Sequence, residues 1–405
     1  MYTLTLPTQL LDLLRAAIAS GQPAETELAV RRAPDVTELL APLSPRPPRP
    51  GHPRLTAGRF PEHLRRATHL YWNAYPIGDH AEPRVELGLF PRSDGCCAAV
   101  LHHGRAHALQ RVRLVGPGMR TWIPAAIPTK PDDFDTPPAT GQFSRYAGVL
   151  GDALPRLQRL AVGIVGVSRL GSPLALAFAK SGVRKLVLVD GDVVESHHLE
   201  AMELLGPEHT GRRKVDAVRE LLSQACPVVE VICVPSTLQR PDAMRALGAC
   251  DVIVTAPDLG QPRLLASITA AAYLRVHLDV GTGVLRTDEG LVYGADLRVV
   301  LPGACLLCTG GVDLETRSQV DWRRQRAGSL RSLNGIAASY AMFLFERLVA
   351  GELTQTTWVR LLLDGAGTLR VERPRFGARA GCPVCARTGM GDAAFTLAPP
   401  AAMTR

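Results

Sequence analysis

Four of the chain's nine cysteines stand in two Cys-x-x-Cys pairs, Cys305 with Cys308 and Cys382 with Cys385. Residues 309–381, 73 in number, lie between the pairs. Four thiolates at this spacing are enough to close a tetrahedral zinc site with no open position, which is a structural rather than a catalytic arrangement. In a cytosolic protein the pattern argues for metal over disulfides. A second group of residues could do chemistry on a phosphate. Gly166 and Gly171 bracket a short turn (GVSRLG) containing Ser168 and Arg169. A glycine at each end lets the chain turn tightly, and the helix that follows offers free N–H groups to an anion. Asp190 ends the next apolar run, with Asp192 two residues on, and a carboxylate there can accept hydrogen bonds from ribose hydroxyls. Lys214 is one of only four lysines (Lys130, Lys180, Lys185 and Lys214) among 46 basic residues. In a chain that writes nearly every cation as arginine, a compact ammonium suits a phosphate contact. Asp258 follows another apolar run, where a carboxylate can cap a helix or hold Mg²⁺ against nucleoside triphosphate oxygens. Arg263 lies five residues beyond it.

The elements that must position these residues are legible from about Leu160 onward. Leu160–Val165 is an unbroken apolar run, as expected of a strand buried on both faces. A helix is expected at 172–181, and further buried strands at 185–189, 251–254 and 276–280. The alternation of strand and helix predicts a parallel, doubly wound α/β sheet with a nucleotide at the strand C-termini. Leu333–Ala350 reads as a strongly apolar helix that packs on the sheet or on a partner subunit.

The rest of the chain reads differently. Residues 1–125 suggest a smaller α+β domain, with strand-like runs at 84–90, 96–102 and 108–115. It is interrupted by a Pro/Arg/Gly-rich stretch at 43–58 that reads as loop. Residues 126–150 read as a linker, 151–390 as the nucleotide-binding domain and 391–405 as a disordered tail.

With 405 residues and 46 % apolar content there is ample material for two cores. No apolar run approaches the roughly 18 residues a membrane span needs. The N-terminus lacks the pattern of a signal peptide, so the expected location is the cytoplasm. The net charge of +8 raises the question of nucleic acid. The basic residues are scattered, however, and no stripe or nucleic-acid module accompanies them, so no such partner is expected.

Taken together and in this order, these elements resemble the ThiF/MoeB/HesA family, which includes the adenylation domains of ubiquitin-activating enzymes. The resemblance covers about residues 143–388. It begins at Arg145-Tyr146 and runs through IVGVSRLGSPLALAFAKSGVRKLVLVDGDVVESHHL, GRRKVDAV, VIVTAPD, LDVGTG, LPGACLLC and SLNGIAASYAMFLFERL to the second cysteine pair. It implies that ATP binds with Asp190 on the ribose, Lys214 on phosphate and Asp258 on Mg²⁺. It also implies that Cys305, Cys308, Cys382 and Cys385 hold Zn²⁺. The implied reaction adenylates the C-terminal carboxylate of a ubiquitin-like protein, a sulfur-carrier protein or a peptide, and the implied assembly is a homodimer.

The sequence departs from the family pattern in four places. The family's Ser-Asn-Leu-x-Arg is His197-His198-Leu199-Glu200-Ala201 here, so Ala201 stands where an arginine would touch phosphate. Ser168 and Arg169 occupy a loop that is usually glycine-rich, and Leu259 follows Asp258 where Asn is common. No cysteine lies between Cys308 and Cys382, which excludes a thioester at the family position. Arg169, Arg212 and Arg263 are the candidates to compensate for the lost arginine. The alternatives are a catalytically degenerate scaffold and, third, a nicotinamide-dependent redox enzyme.

The N-terminal region is more weakly similar to a JAB/MPN domain. Its expected metal stretch holds only His69 and His80 and no His-x-His, so the resemblance implies a docking or dimer-contact domain without peptidase activity.

Overall fold

The structure, a computed structural model of the full chain, describes residues 1–22, 24–59, 81–89, 96–122, 140–202, 205–287, 290–312 and 330–396. The chain forms two compact units. The first comprises Met1–Thr140, Ala272–Leu274 and Arg387–Ala398, and the second Gly141–Ala271, Arg275–Ala386 and Pro399–Arg405. His69 and His80 lie outside the described residues, as does most of the expected linker.

In the first unit, β1 (Tyr2–Pro7) leads into helix α1 (Thr8–Ala19), followed by β2 (Glu25–Glu27), β3 (Ala29–Arg32), β4 (Thr37–Leu40), β5 (Arg54–Arg59), β6 (Arg84–Leu89), β7 (Cys96–His102), β8 (Arg105–Val115) and β9 (Arg120–Trp122). They form one mixed sheet in the order β2-β5-β6-β7-β8-β1-β4-β3, with β9 pairing β8. Leu10, Leu11 and Leu14 of α1 join Leu4, Leu6, Val112 and Leu114 in its core. The stretch at 43–58 is not loop throughout. Pro53 is its last proline, so the N–H groups from Arg54 onward can pair, and β5 runs antiparallel to β2 and parallel to β6. Residues 391–395 also differ from the expected disordered tail. They form a 3₁₀ turn anchored by Asp392, whose carboxylate accepts the Arg32 N–H at 2.8 Å and the Tyr273 hydroxyl at 2.9 Å.

The second unit begins earlier than residue 151. Proline ends at Pro138, and α2 (Thr140–Leu150) follows, tied down by Tyr146 Oη donating to Glu346 Oε1 at 3.0 Å. After α3 (Ala153–Gln158) come β10 (Ala161–Val165), α4 (Gly171–Lys180), β11 (Lys185–Val189), α5 (Lys214–Ala225), β12 (Glu230–Val234), α6 (Pro241–Gly248), β13 (Val252–Thr255), α7 (Gly260–Tyr273), β14 (Val276–Thr287), β15 (Gly290–Val300), α8 (Arg331–Ala350), β16 (Thr357–Leu363) and β17 (Leu369–Glu372). The sheet order is β12-β11-β10-β13-β14-β15-β16-β17. The first five strands are parallel, and β14 to β17 pair antiparallel. Every residue of β10 and β13 is buried, as expected of strands covered on both faces. One face of α8 is buried, and Phe345 meets Phe178 of α4 edge-on at 5.1 Å.

From β10 the chain moves through β11 to β12 on one side, then returns to place β13 and β14 on the other. The strand order therefore reverses between the C-terminal ends of β10 and β13, and a crevice at such a reversal is where open α/β sheets bind ligands.

Candidate active site and cysteine cluster

Gly166 and Gly171 are both required by close approach. Gly166 has φ +81°, and a Cβ there would lie 2.9 Å from Pro257 N, while a Cβ at Gly171 would lie 1.8 Å from the Gly166 carbonyl oxygen. The turn thus crosses directly over the exit of β13, and a side chain at either end would break it. Inside the turn, Ser172 closes its helix by donating to Ser168 O at 2.8 Å. Ser168 and Arg169 are both half-buried.

Asp190, at the end of β11, holds the turn from the other side. Its Oδ2 accepts the Val167 N–H at 2.8 Å, and its Oδ1 accepts the Asp192 N–H at 2.9 Å. Lys214 opens α5 with its ammonium drawn inward, and Nζ donates to Asp192 Oδ2 at 2.9 Å. Arg212 pairs with Glu220 at 2.6 Å. His198 is buried and accepts the Glu195 N–H on Nδ1 at 2.9 Å. Burial, with the Lys214 ammonium next in weight, pulls its imidazole down to about 4. Ala201 is buried, so the place of the family arginine is closed by a methyl group. Asp258 is exposed just beyond β13.

Arg263 does not project freely into this crevice. Its Nε donates to Pro257 O at 3.1 Å, its Nη1 to Asp279 Oδ2 at 3.2 Å and its Nη2 to Val280 O at 3.1 Å. Asp279 is fully buried, and its Oδ1 accepts the Thr255 hydroxyl at 2.6 Å. Since that hydroxyl proton goes to Asp279, the Thr255 oxygen must accept from His277 Nε2, 2.8 Å away. His277 is consequently the Nε2–H tautomer, and its buried Nδ1 has no hydrogen-bond partner. The three hydrogen bonds commit Arg263 to this buried strand-end network rather than to the role of a free phosphate clamp.

The four thiols gather in the same unit. Their sulfurs all lie within 4.8 Å of one another, with Cys305 Sγ 3.6 Å from Cys382 Sγ and Cys308 Sγ 3.7 Å from Cys385 Sγ. A disulfide would bring sulfurs to about 2.05 Å. Tetrahedral zinc with bonds of about 2.3 Å separates its sulfurs by roughly 3.8 Å, so the donor set fits that ion. Backbone N–H groups of Cys308 and Arg379 point at Cys305 and Cys308 sulfurs, each at 3.4 Å. Hydrogen bonding from Cys385 lowers the Cys305 thiol to about 5, and the same bond, with burial, raises Cys385.

The ThiF family profile matches residues 143–384, more than half of the chain. The chain belongs to the ThiF family. The adenylyltransferase and sulfurtransferase UBA4 of Kluyveromyces lactis is 26 % identical to it over 268 residues, 62 % of this chain and 57 % of that protein. The adenylyltransferase and sulfurtransferase MOCS3 of Mus musculus is 34 % identical over 235 residues, 57 % of this chain and 48 % of that protein. This ThiF chain thus spans about half the length of these relatives. Escherichia coli MccB, solved with AMPCPP and MccA, shares the fold at a TM-score of 0.50 and 16 % identity, over 63 % of this chain and 76 % of that one.

Among the sequence candidates, the structure brings Gly166, Ser168, Arg169, Gly171, Asp190, Asp192, Lys214 and Asp258 of the ThiF sheet to the C-terminal end of its parallel strands. The Thr255–His277–Asp279 group, which Arg298 joins with Nη1 3.5 Å from Asp279 Oδ2, was missed by sequence reasoning. One signal was available, because His277, Asp279 and Arg298 are polar residues inside otherwise apolar strand runs, and buried polar groups need partners.

Proposed function

We propose that this ThiF chain is an ATP- and Mg²⁺-dependent adenylyltransferase acting on the C-terminal carboxylate of a ubiquitin-like protein, a sulfur-carrier protein or a peptide. The observation that carries the reading is Lys214, a buried ammonium 2.9 Å from Asp192, two residues from the Asp190 carboxylate that holds the Gly166–Gly171 turn. In this reading a carboxylate oxygen of the carrier attacks the α-phosphorus of ATP. The bond to the β-phosphate bridging oxygen breaks, pyrophosphate leaves, and an acyl-adenylate remains. Lys214 leaves Asp192 for a phosphate oxygen and offsets developing charge. The turn's backbone and the α4 N-terminus cradle phosphate, and Asp190 accepts from the ribose with its remaining lone pairs. In this reading Arg169, in the turn, acts on phosphate where Ala201 cannot. Mg²⁺ held by Asp258 would neutralise phosphate charge.

Zinc in the four-cysteine cluster would pin the segment around Cys382 and Cys385 to the loop after β15. Ile336 and Phe343 are exposed on α8, which supports a homodimer built on that helix, and the first unit would serve as a docking or dimer-contact domain. No described helix is long and apolar enough to cross a membrane, and the cytoplasm is the proposed location.

The competing reading, a degenerate scaffold, is favoured by one observation, the buried Ala201 in place of a phosphate arginine. ATP–pyrophosphate exchange with purified protein, Mg²⁺ and candidate carriers separates the two. Exchange that disappears in Lys214→Ala and Asp258→Ala supports the enzyme. ATP binding without exchange across a wide set of carriers supports the scaffold.

A further inference from the structure

The guanidinium of Arg263 sits in a seat that several residues shape at once. Two backbone carbonyls, of Pro257 and Val280, and the Asp279 carboxylate take its three hydrogen bonds. Asp279 supplies the buried counter-charge and is itself fixed by Thr255. At Gly281 a Cβ would lie 2.7 Å from Arg263 Nη2, so the missing side chain is what leaves room for the guanidinium. The other end of the contact reaches the site. Pro257, whose carbonyl Arg263 holds, packs against Gly166 at the start of the phosphate turn, and the next residue is Asp258. A lysine carries its three donors on a single nitrogen, so it cannot reach the Pro257 carbonyl, the Asp279 carboxylate and the Val280 carbonyl as the three nitrogens of the planar guanidinium do.

We infer that Arg263 is a positioning residue: seated by Asp279 and Gly281, it holds Pro257 and thereby sets Asp258 against the Gly166–Gly171 turn. The inference rests on the proposed function for what Asp258 does there, but the clamp itself can be tested separately.

Two measurements on the full chain make the test, comparing wild type with Gly281→Ala, Arg263→Lys and Asp258→Ala. The first is ATP–pyrophosphate exchange against Mg²⁺ concentration. Gly281→Ala and Arg263→Lys are expected to raise the Mg²⁺ needed for half-maximal exchange by about 3- to 10-fold and to lower kcat, with the carrier KM unmoved, because small misplacements of a charge-stabilising group are costly. The second is hydrogen exchange of the segment 252–262, in which Ala256 N donates to Val165 O at 3.0 Å. It is expected to speed up by about threefold or more in both variants. Unchanged Mg²⁺ dependence in both variants overturns the inference, as does a loss of ATP affinity in Arg263→Lys alone, which would make Arg263 a phosphate contact. Wild type without exchange, or Asp258→Ala with wild-type Mg²⁺ dependence, removes the functional reading. In that event unchanged hydrogen exchange still overturns the clamp, and faster exchange sustains it.

Discussion

Lys214 and Asp192 form an ion pair of unequal members: Nζ and Oδ2 are 2.9 Å apart, with the lysine side chain 4 % exposed and the aspartate side chain 75 % exposed. The ammonium is fixed at a buried position while its partner is already screened by water. Such a partner is readily exchanged for a phosphate oxygen. Lys214→Ala is expected to lower ATP–pyrophosphate exchange by about 100-fold or more, the scale of losing one charge-stabilising donor. Lys214→Arg is not expected to restore it, because the larger fork does not fit a site built around a compact ammonium. Asp192→Asn should change stability by less than about 1 kcal/mol, as expected of a largely screened pair. Exchange assays and denaturant melts of the three variants check this.

The two ends of the phosphate turn differ in how tightly they are closed. Gly171→Ala would push a methyl to 1.8 Å from a carbonyl oxygen, whereas Gly166→Ala meets backbone at 2.9 Å and adds strain at φ +81°. Both substitutions should abolish ATP binding, and Gly171→Ala should lower the apparent Tm more. Calorimetric ATP titration and thermal melts decide the order. Equal, wild-type binding in both variants would show that phosphate does not use this turn.

His277 is fully buried, with its imidazole pulled to about 4 from the ordinary 6.5 by burial. Its folded-state value is the lower one, so the unfolded chain binds a proton first as pH falls. The stability this group supports is complete above pH 6.5, is lost progressively on acidification, and levels off near pH 4. The total is about 3 kcal/mol at most. His198 shifts in the same direction through the same window. Urea unfolding at several pH values between 4 and 8 should show this slope, and it should flatten in His277→Gln.

If zinc occupies the cysteine cluster, metal analysis should find about one ion per chain. Cys305, Cys308, Cys382 and Cys385 should then gain reactivity toward alkylation when a chelator is added. Chelation or Cys382→Ser should lower the apparent Tm by about 6 °C or more, since the metal's binding free energy is folding free energy. Stoichiometric iron, or no metal with all thiols equally reactive in the native protein, would contradict the assignment.

In the first unit Glu38 is fully buried and held by Arg31 at 2.7 Å, Arg113 at 3.0 Å and the Thr5 hydroxyl. Removing the single carboxylate leaves two buried guanidinium groups without their shared counter-charge. Glu38→Ala should therefore cost about 3–5 kcal/mol, read by denaturant unfolding of the full chain. It should leave ATP binding by the second unit unchanged.

The sequence by itself determined the α/β alternation, the glycine turn, the placing of Asp190 and Asp258 at the ends of buried strands, and the pairing of the cysteines into one cluster. These features are written in local spacing: apolar runs, glycines at fixed offsets and Cys-x-x-Cys steps each carry their meaning within a few residues. Only the tertiary structure decided what Arg263 does. Its partners at 279 and 280 lie on a different strand, and which atoms meet across strands depends on register and on space such as that left by Gly281. The same reason explains the other revisions. β5 exists because β2 and β6 accept its backbone, and residues 391–395 are ordered because Asp392 finds Arg32 and Tyr273, partners more than a hundred residues away in the chain. Long-range pairing of this kind leaves no periodicity to read, because its stabilisation comes from desolvated polar groups meeting one another rather than from the chain's local preferences.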